Sequence, residues 1–348
     1  MSKILVTGGT GYIGSHTTVE LVNAGYKVIV LDNLSNSSTL PLDRIETITG
    51  KRPAFIKADI RDTRLLDEIF SEHSIDTVIH FAGLKSVSES VYKPLEYYDN
   101  NVNGSLKLFT SMQKHNIKTV IFSSSATVYG DPVNLPLNEG MATGLPTSPY
   151  GMSKLMIENI LGDLYTSDPT WRIARLRYFN PIGAHSSGLI GENPRDIPNN
   201  LMPFITQTAM GKLQELKVFG GDYATPDGSA IRDYIHVVDL AEGHLAALRK
   251  CREEPGIYTV NLGTGHGYSV LEMVSTFERV NGVKVPYQIT SRRAGDVAAC
   301  YADPALSRKL LGWFAKLGID DMCRDSWKWQ KEESSRNPTL GSVVSKNY

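Results

Sequence analysis

Short apolar runs alternate with longer amphipathic stretches through the first half of the chain. The runs fall at 4–6, 27–31, 54–57, 77–81, 119–122 and 172–176, and are rich in valine and isoleucine rather than alternating with polar residues. Strands covered on both faces read this way. Between them, the pattern predicts helices over 13–23, 64–73, 97–115 and 153–165. Strands separated by helices predict βαβ units, hence an α/β fold with a parallel sheet and helices on both faces. Past Asn180 the pattern loosens, interrupted by Pro181, Pro194, Pro198, Pro203 and Pro226. Helices are expected at 201–210 and 239–250, strands at 216–219 and 234–237, and further strand and helix pieces at 258–262, 270–280 and 303–311. No polar linker divides the halves. The expected organisation is a sheet domain over 1–180, to which some later segments return, a smaller α/β substrate lobe over 181–332 facing it across a cleft, and a loose polar tail over 333–348.

Composition narrows the partners. The 36 basic and 37 acidic residues of this 348-residue chain leave a net charge of −1, which supplies no general pull toward nucleic acid or an anionic membrane. Any phosphate site must be local. Cys251, Cys300 and Cys323 lie far apart with no CxxC, so neither a disulfide framework nor a metal site is expected. His80, His185, His236 and His244 lack short-spaced partners and read as packed or hydrogen-bonded histidines. No signal peptide, membrane span or lipidation signal is apparent, and a cytoplasmic enzyme is the expectation.

The first predicted strand runs into Thr7-Gly8-Gly9-Thr10-Gly11-Tyr12-Ile13-Gly14, a Gly-x-G-x-x-G turn at Gly9, Gly11 and Gly14 that also reads from Gly8. Such a turn, between a strand and a helix, lets backbone N–H groups approach a pyrophosphate at the helix N-terminus. The second strand ends at Asp32, eighteen residues on, where a carboxylate can accept from ribose hydroxyls and would repel a 2′-phosphate. No basic residue follows in Asn33-Leu34-Ser35-Asn36, so NAD is favoured over NADP. The sheet is therefore read as Rossmann-type. Asp59 ends the third strand and either accepts from adenine or serves as a turn acid. Phe81-Ala82-Gly83 ends the fourth, and Lys85 follows within reach of a cofactor.

Reacting groups emerge from the fifth strand at Ser123-Ser124-Ser125-Ala126-Thr127. Downstream, Tyr150 and Lys154 share a helix face at i, i+4. A phenol near its reference pKa of ~10 is a poor base at neutral pH, and a neighbouring ammonium favours the phenolate. The Tyr–Lys pair can thus take a proton from a sugar hydroxyl, with a serine relaying it. Without the preceding fingerprint, the pair would read as an ordinary helix start.

The segments TGGTGYIGSH, DTVIHFAGLKSVSESV, YYDNNVNG, IFSSSATVYGD, SPYGMSK, RYFNPIGAH, IPNNLMP, GSAIRDYIHVVDLA and YTVNLGTGHGYSV closely resemble the UDP-glucose 4-epimerases, within the extended short-chain dehydrogenase/reductase family. The resemblance spans about residues 3–331 and implies permanently bound NAD, a C-terminal sugar-nucleotide lobe and a homodimer. It implies that Gly11, Tyr12 and Ile13 hold the pyrophosphate, Asp32, Asn33 and Asn36 the adenosine end, and Asp59 and Ile60 the adenine. Phe81, Lys85 and Tyr178 line the rest of the cofactor. Ser125 matches the family's catalytic serine, which the residues alone could not distinguish from Ser123 and Ser124. Tyr150 matches the base and Lys154 its partner.

On the substrate side the resemblance implies Ala126, Thr127, Phe179 and Asn180 around the sugar, with Asn199, Asn200 and Leu201 following. Lys217, Val218, Phe219, Arg232, Arg292, Gly295, Asp296 and Cys300 complete the UDP-hexose site. Phe219 suits a uridine ring, and Arg232 and Arg292 suit phosphates. Ser88, Ala294 and Gly221 depart from the family's usual glycine, acid and amide. The implied reaction is reversible inversion at C4 of UDP-galactose and UDP-glucose through a 4-keto sugar, in galactose metabolism. A 4,6-dehydratase would carry Asp-Glu where Ala126 and Thr127 stand, and a non-catalytic NAD sensor would commonly lose the Tyr–Lys pair. Some narrow-specificity epimerases carry tyrosine where Cys300 stands. The smaller residue implies room for UDP-N-acetylglucosamine and UDP-N-acetylgalactosamine.

Overall fold

Ile4 and Val6 bury their side chains on one side of the first strand and Leu5 buries its side chain on the other. Val28 and Val30 likewise oppose Ile29 and Leu31. A period of two with both faces apolar requires helices above and below the sheet. The computed structural model, which describes residues 3–131, 134–194, 198, 200–293 and 296–336, has this arrangement.

The first elements are β1 (Lys3–Thr7), α1 (Tyr12–Asn23), β2 (Lys27–Asp32), α2 (Leu40–Thr49), β3 (Ala54–Lys57), α3 (Thr63–Glu72) and β4 (Ile75–His80). Then come α4 (Val87–Tyr92), α5 (Pro94–Tyr97), a π-helical turn (Tyr98–Asn103), α6 (Gly104–Lys114), β5 (Thr119–Ser125), α7 (Pro149–Ser167) and β6 (Arg172–Tyr178). The second half adds β7 (Asn180–Ile182), α8 (Leu201–Ala209), β8 (Leu216–Phe219), β9 (Ile231–His236), α9 (Val237–Glu253), β10 (Gly256–Leu262) and β11 (Gly267–Ser269). It closes with α10 (Val270–Asn281), β12 (Tyr287–Thr290), β13 (Ala299–Cys300), α11 (Ala305–Leu311) and α12 (Ile319–Arg336).

The main sheet has seven parallel strands in the order β10-β6-β5-β4-β1-β2-β3. The order reverses between β1 and β4, the crevice where doubly wound sheets of the Rossmann type bind ligands. Helices α1, α2 and α9 cover one face, and α3, α6 and α7 cover the other. β10 joins the edge only after the chain has crossed the second lobe. That lobe is built on β9, flanked by β11 and β13 and paired also with β7, and has its own core around Met202, Ile205, Met273 and Phe277.

Two expectations change. The helix read over 97–115 forms, but with a π turn at Tyr98–Asn103, where buried Asn101 spends its side chain on the loop at Leu84 and on Ser153 of α7. The tail expected over 333–348 does not start at 333: α12 runs to Arg336, and Glu333 is buried in an ion pair with Arg44 at 2.6 Å. Residues 337–348 lie outside the described part.

Helix α7 is tied to the sheet by a buried ion pair. Glu158 accepts from Arg177 Nε at 2.9 Å and Nη2 at 2.7 Å, and from Ser124 Oγ at 2.5 Å. Removing one partner strands a buried charge, which typically costs about 3–5 kcal/mol. Glu158→Ala is therefore expected to lose stability on that scale in urea unfolding; a loss below about 1 kcal/mol would show that the pair does not anchor α7.

Candidate active site

The turn after β1 is shaped by backbone crowding. Gly8 has φ +68°, and a Cβ there would meet Ala82 N at 2.7 Å. A Cβ on Gly14 would lie 2.4 Å from Gly8 O. Only glycine lets the turn, α1 and the β4 loop approach this closely. Gly11 is the N-cap of α1 with no side chain over its first amides, and no acid sits in the first turn. Tyr12 and Ile13 follow on that turn, and the Tyr12 hydroxyl donates to Gly183 O at 2.7 Å, joining the turn to the second lobe. The cradle suits a pyrophosphate.

Asp32 closes β2 and accepts from Thr10 N at 3.2 Å, Leu34 N at 2.9 Å and Ser37 Oγ at 3.0 Å. Asn33 donates to Asp59 at 3.0 Å, and Asn36 is exposed beyond it. Asp59 is engaged by Arg61, which holds its carboxyl well below the usual range, and by its own turn. Buried Ile60 packs beneath Gly104. Phe81 lies against His244, with ring centroids 4.8 Å apart.

The three serines of β5 diverge. Ser123 contributes its carbonyl, which accepts from Lys154 Nζ at 2.7 Å. Ser124 donates to Glu158. Ser125 accepts from Thr127 N at 3.2 Å and Thr127 Oγ1 at 3.0 Å, beside Ala126, and its hydroxyl acts on the Tyr150 phenol. Ser125 is thus the serine that partners Tyr150. Lys154 is buried, with Nζ 5.0 Å from the Phe122 ring centroid and 5.9 Å from that of Tyr150. Burial lowers its pKa to about 8. Burial also raises the Tyr150 phenol, more than Ser125 lowers it. The expected downward pull of Lys154 is not seen: burial sets the direction, and only Ser125 opposes it.

Around this centre Tyr178 donates to His244, whose other nitrogen faces Leu240 O at 2.8 Å. His80 is held between Thr7 and Ser105, and burial lowers its pKa to about 3. These are packed, neutral histidines. Among the described residues no cluster of three metal-ligating groups occurs, and no helix is long and apolar enough to cross a membrane.

The substrate-side residues sit on the second lobe and its border. Phe179 is buried with Val128, Tyr129 and Leu137, and Cys300 packs against that cluster. Cys300 pairs in register with Arg232, whose Nη2 lies 3.9 Å from Asp296. Asn180 and Lys217 are exposed, Leu201 is half-buried, and Val218 points into the lobe's core. Arg292 is turned toward Asp222 at 2.7 Å and the Tyr223 ring, while Arg293 lies over Phe219 at 4.2 Å. Lys85 and Asn200 meet on one carboxylate, Glu192, at 2.8 and 2.7 Å. Asn199 and Gly295 lie outside the described residues.

Sequence reasoning missed Glu192 and Asn101. Asn101 clamps Leu84 through both its amide oxygen and nitrogen, and donates to Ser153 beside Lys154. It stands within the quoted YYDNNVNG segment, but nothing in the residues themselves marked it.

A doubly wound sheet with a glycine turn at the reversal and a Ser–Tyr–Lys centre beside it defines a dinucleotide-binding α/β protein with proton-transfer chemistry. Residues 4–263 match the model of the NAD dependent epimerase/dehydratase family, and the chain belongs to that family. It is 58% identical over 327 residues to the UDP-glucose 4-epimerase of Bacillus subtilis, covering 94% of this chain and 96% of that protein. Among solved structures, the UDP-glucose 4-epimerase of Stenotrophomonas maltophila, with bound NAD and formylated UDP-arabinopyranose, is 49% identical and superposes with a TM-score of 0.95 over 97% of this chain and all of that one. That of Bifidobacterium longum, in complex with NAD+ and UDP, is 54% identical with a TM-score of 0.92, covering 97% of this chain and 99% of that one.

The buried lysine has a pH signature. Below about pH 8 both folded and unfolded chains carry the Lys154 ammonium; between about 8 and the ordinary 10.5 only the unfolded chain does. Unfolding then takes up a proton, so stability rises with pH across that window, by up to about 3 kcal/mol from this group. In urea unfolding of nucleotide-free protein, wild type should gain this rise relative to Lys154→Met. Parallel pH profiles would refute a lowered pKa for Lys154 in the folded chain.

Proposed function

We propose that the chain interconverts UDP-galactose and UDP-glucose by inversion at C4, with NAD held in the glycine cradle. The observation that carries this reading is the convergence of Ser125, Tyr150 and Lys154 at the edge of β5, beside the reversal between β1 and β4. The turn, packed so closely that Gly8 and Gly14 admit no Cβ, leaves the backbone amides at the head of α1 uncovered for the dinucleotide's pyrophosphate, and Asp32 suits its ribose. When bound, NAD supplies a reversible hydride acceptor. Tyr150 accepts the 4-hydroxyl proton and returns it to the same oxygen once the 4-keto sugar has turned its other face toward the cofactor site, Ser125 hydrogen-bonds that oxygen, and Lys154 holds the positive charge that favours the phenolate. No net oxidation occurs, so no added oxidant is needed. With Ala126 and Thr127 beside Ser125, the carboxylates an elimination would use are missing, and the epimerase reading is favoured over a dehydratase.

The enzyme acts in galactose metabolism as a cytoplasmic homodimer. Three free cysteines suit a reducing compartment. Val87, Val91, Tyr92 and Leu95 on α4 and α5, with Leu106 and Met156 on the neighbouring helices, expose apolar side chains that a second copy would cover.

Assayed on UDP-galactose without added NAD, wild type should form UDP-glucose, and Tyr150→Phe should lose roughly 10²-fold or more in kcat while still binding UDP. Near-normal turnover by the variant would overturn the assignment of the base. Cys300 packs against the Phe179 cluster and is much smaller than a tyrosine, which supports the reading that the enzyme also interconverts UDP-N-acetylglucosamine and UDP-N-acetylgalactosamine. Cys300→Tyr should suppress that activity roughly tenfold or more while largely sparing UDP-galactose; wild type inactive on N-acetyl substrates would refute the gate.

A further inference from the structure

The segment that carries Cys300 has little regular structure of its own. β13 is two residues long, with Ala299 beside Ile231 and Cys300 beside Arg232 of β9. A strand so short does not hold itself in place. Its continuation over 301–303 is fixed from two sides. The Leu137 N–H donates to Tyr301 O at 2.9 Å, and Leu137 O accepts from Asp303 N at 2.7 Å. Along an extended chain the N–H of residue 302 points the opposite way, and there it donates to Asp233 Oδ2 at 3.1 Å.

Asp233 is fully buried, and both of its oxygens are engaged twice. Oδ1 accepts from Thr264 N at 2.9 Å and Thr264 Oγ1 at 2.7 Å. Oδ2 accepts from Gly265 N at 3.0 Å as well as from Ala302. A carboxylate can serve four donors at once because it has no donor of its own to misplace. The packing here is close: a Cβ on Gly263 would lie 2.6 Å from Asp233 Oδ2 and 2.7 Å from the Ala302 Cβ. The next residue along β9 is Arg232, whose side chain leaves the strand on the other face. One carboxylate thus sets the loop after β10 and the Cys300 segment against the strand that bears the guanidinium.

We infer that Asp233 is a positioning residue for sugar-nucleotide binding: through the Ala302 amide it seats the 299–303 segment, and so holds Cys300 beside Arg232 before any ligand arrives. This rests on the UDP-sugar reading. Without the carboxylate, the Ala302 amide is buried with no acceptor. The segment then shifts to find one, and Cys300, two residues earlier, moves with it. The glycine turn and the Ser125–Tyr150–Lys154 centre share none of these bonds, so cofactor retention and proton transfer are spared.

Three variants of the full-length holoenzyme test this by UDP calorimetry, UDP-galactose kinetics and thermal melting. Asp233→Ala should raise the UDP dissociation constant and KM roughly tenfold, with kcat within about threefold of wild type and bound NAD per chain unchanged. Asp233→Asn can turn its oxygen to Gly265 and Ala302 and its amide to Thr264 Oγ1, and should keep UDP binding within about threefold. Thr264→Val removes a bond that does not reach the segment, and should lower the melting temperature with UDP binding again within about threefold. In the wild type without UDP, which needs no variant to fold, hydrogen exchange should find the Ala302 amide as protected as those of β10. An Ala302 amide that exchanges like an open loop, UDP binding by Asp233→Ala as tight as wild type, or binding losses that follow melting temperature alike in all three variants would each overturn the inference. A wild-type enzyme that neither binds UDP nor turns over UDP-galactose would instead overturn the functional reading beneath it.

Discussion

The position of α7 depends on one buried ion pair. Tyr150, Lys154 and Glu158 follow at intervals of four along that helix and so share a face. Glu158 is held by Arg177 of β6 and Ser124 of β5, with both partners of the ion pair nearly fully buried. A charge pair in so dry a place is tolerable because the Glu158 carboxylate accepts three hydrogen bonds. Once Glu158 is set, the residues one and two turns earlier are delivered to the ends of β5 with little freedom. The ammonium of Lys154 reaches the Ser123 carbonyl, and the Tyr150 phenol arrives beside Ser125. Each serine of β5 thereby acquires a different partner from the same helix.

The second lobe is tied to this centre by comparable means. Asp233 on β9 is fully buried and accepts from Thr264, Gly265 and Ala302. It draws together the loop after β10 and the strand that bears Cys300. The Tyr12 hydroxyl on Gly183 O crosses from the glycine turn to β7. Groups from distant parts of the chain thus face one cleft through these polar contacts together with the apolar cluster of Val128, Tyr129, Leu137, Phe179 and Ala302.

The glycine turn, Asp32 and the Tyr–Lys spacing were legible because each depends on local backbone geometry, which sequence spacing expresses directly. The parallel sheet was legible from runs that are apolar on both faces. The π turn at Tyr98–Asn103 was not, since such a turn preserves a helical alternation while shifting its phase. Glu333 was read as tail because a charged, aperiodic stretch gives no sign of Arg44, a partner far off in sequence. The choice of Ser125 from three serines needed the direction of each side chain at the strand end. The raised phenol of Tyr150 reflects burial, which residue spacing does not encode. Glu192 carries no motif at all; its contacts come from two partners brought in by separate loops.

The seat of β10 at the sheet edge ties together segments that a simple division of the chain would separate. It lies beside β6 in full parallel register, and α9, which precedes it, covers α1. A nascent chain ending near Tyr178 therefore presents β6 as an open edge and leaves α1 without the α9 helix that packs beside it. Such a fragment is a template for edge-to-edge association rather than a free-standing nucleotide domain. The nucleotide-binding half becomes complete only when synthesis has passed through much of the second lobe, so the two halves mature together even though each has its own core.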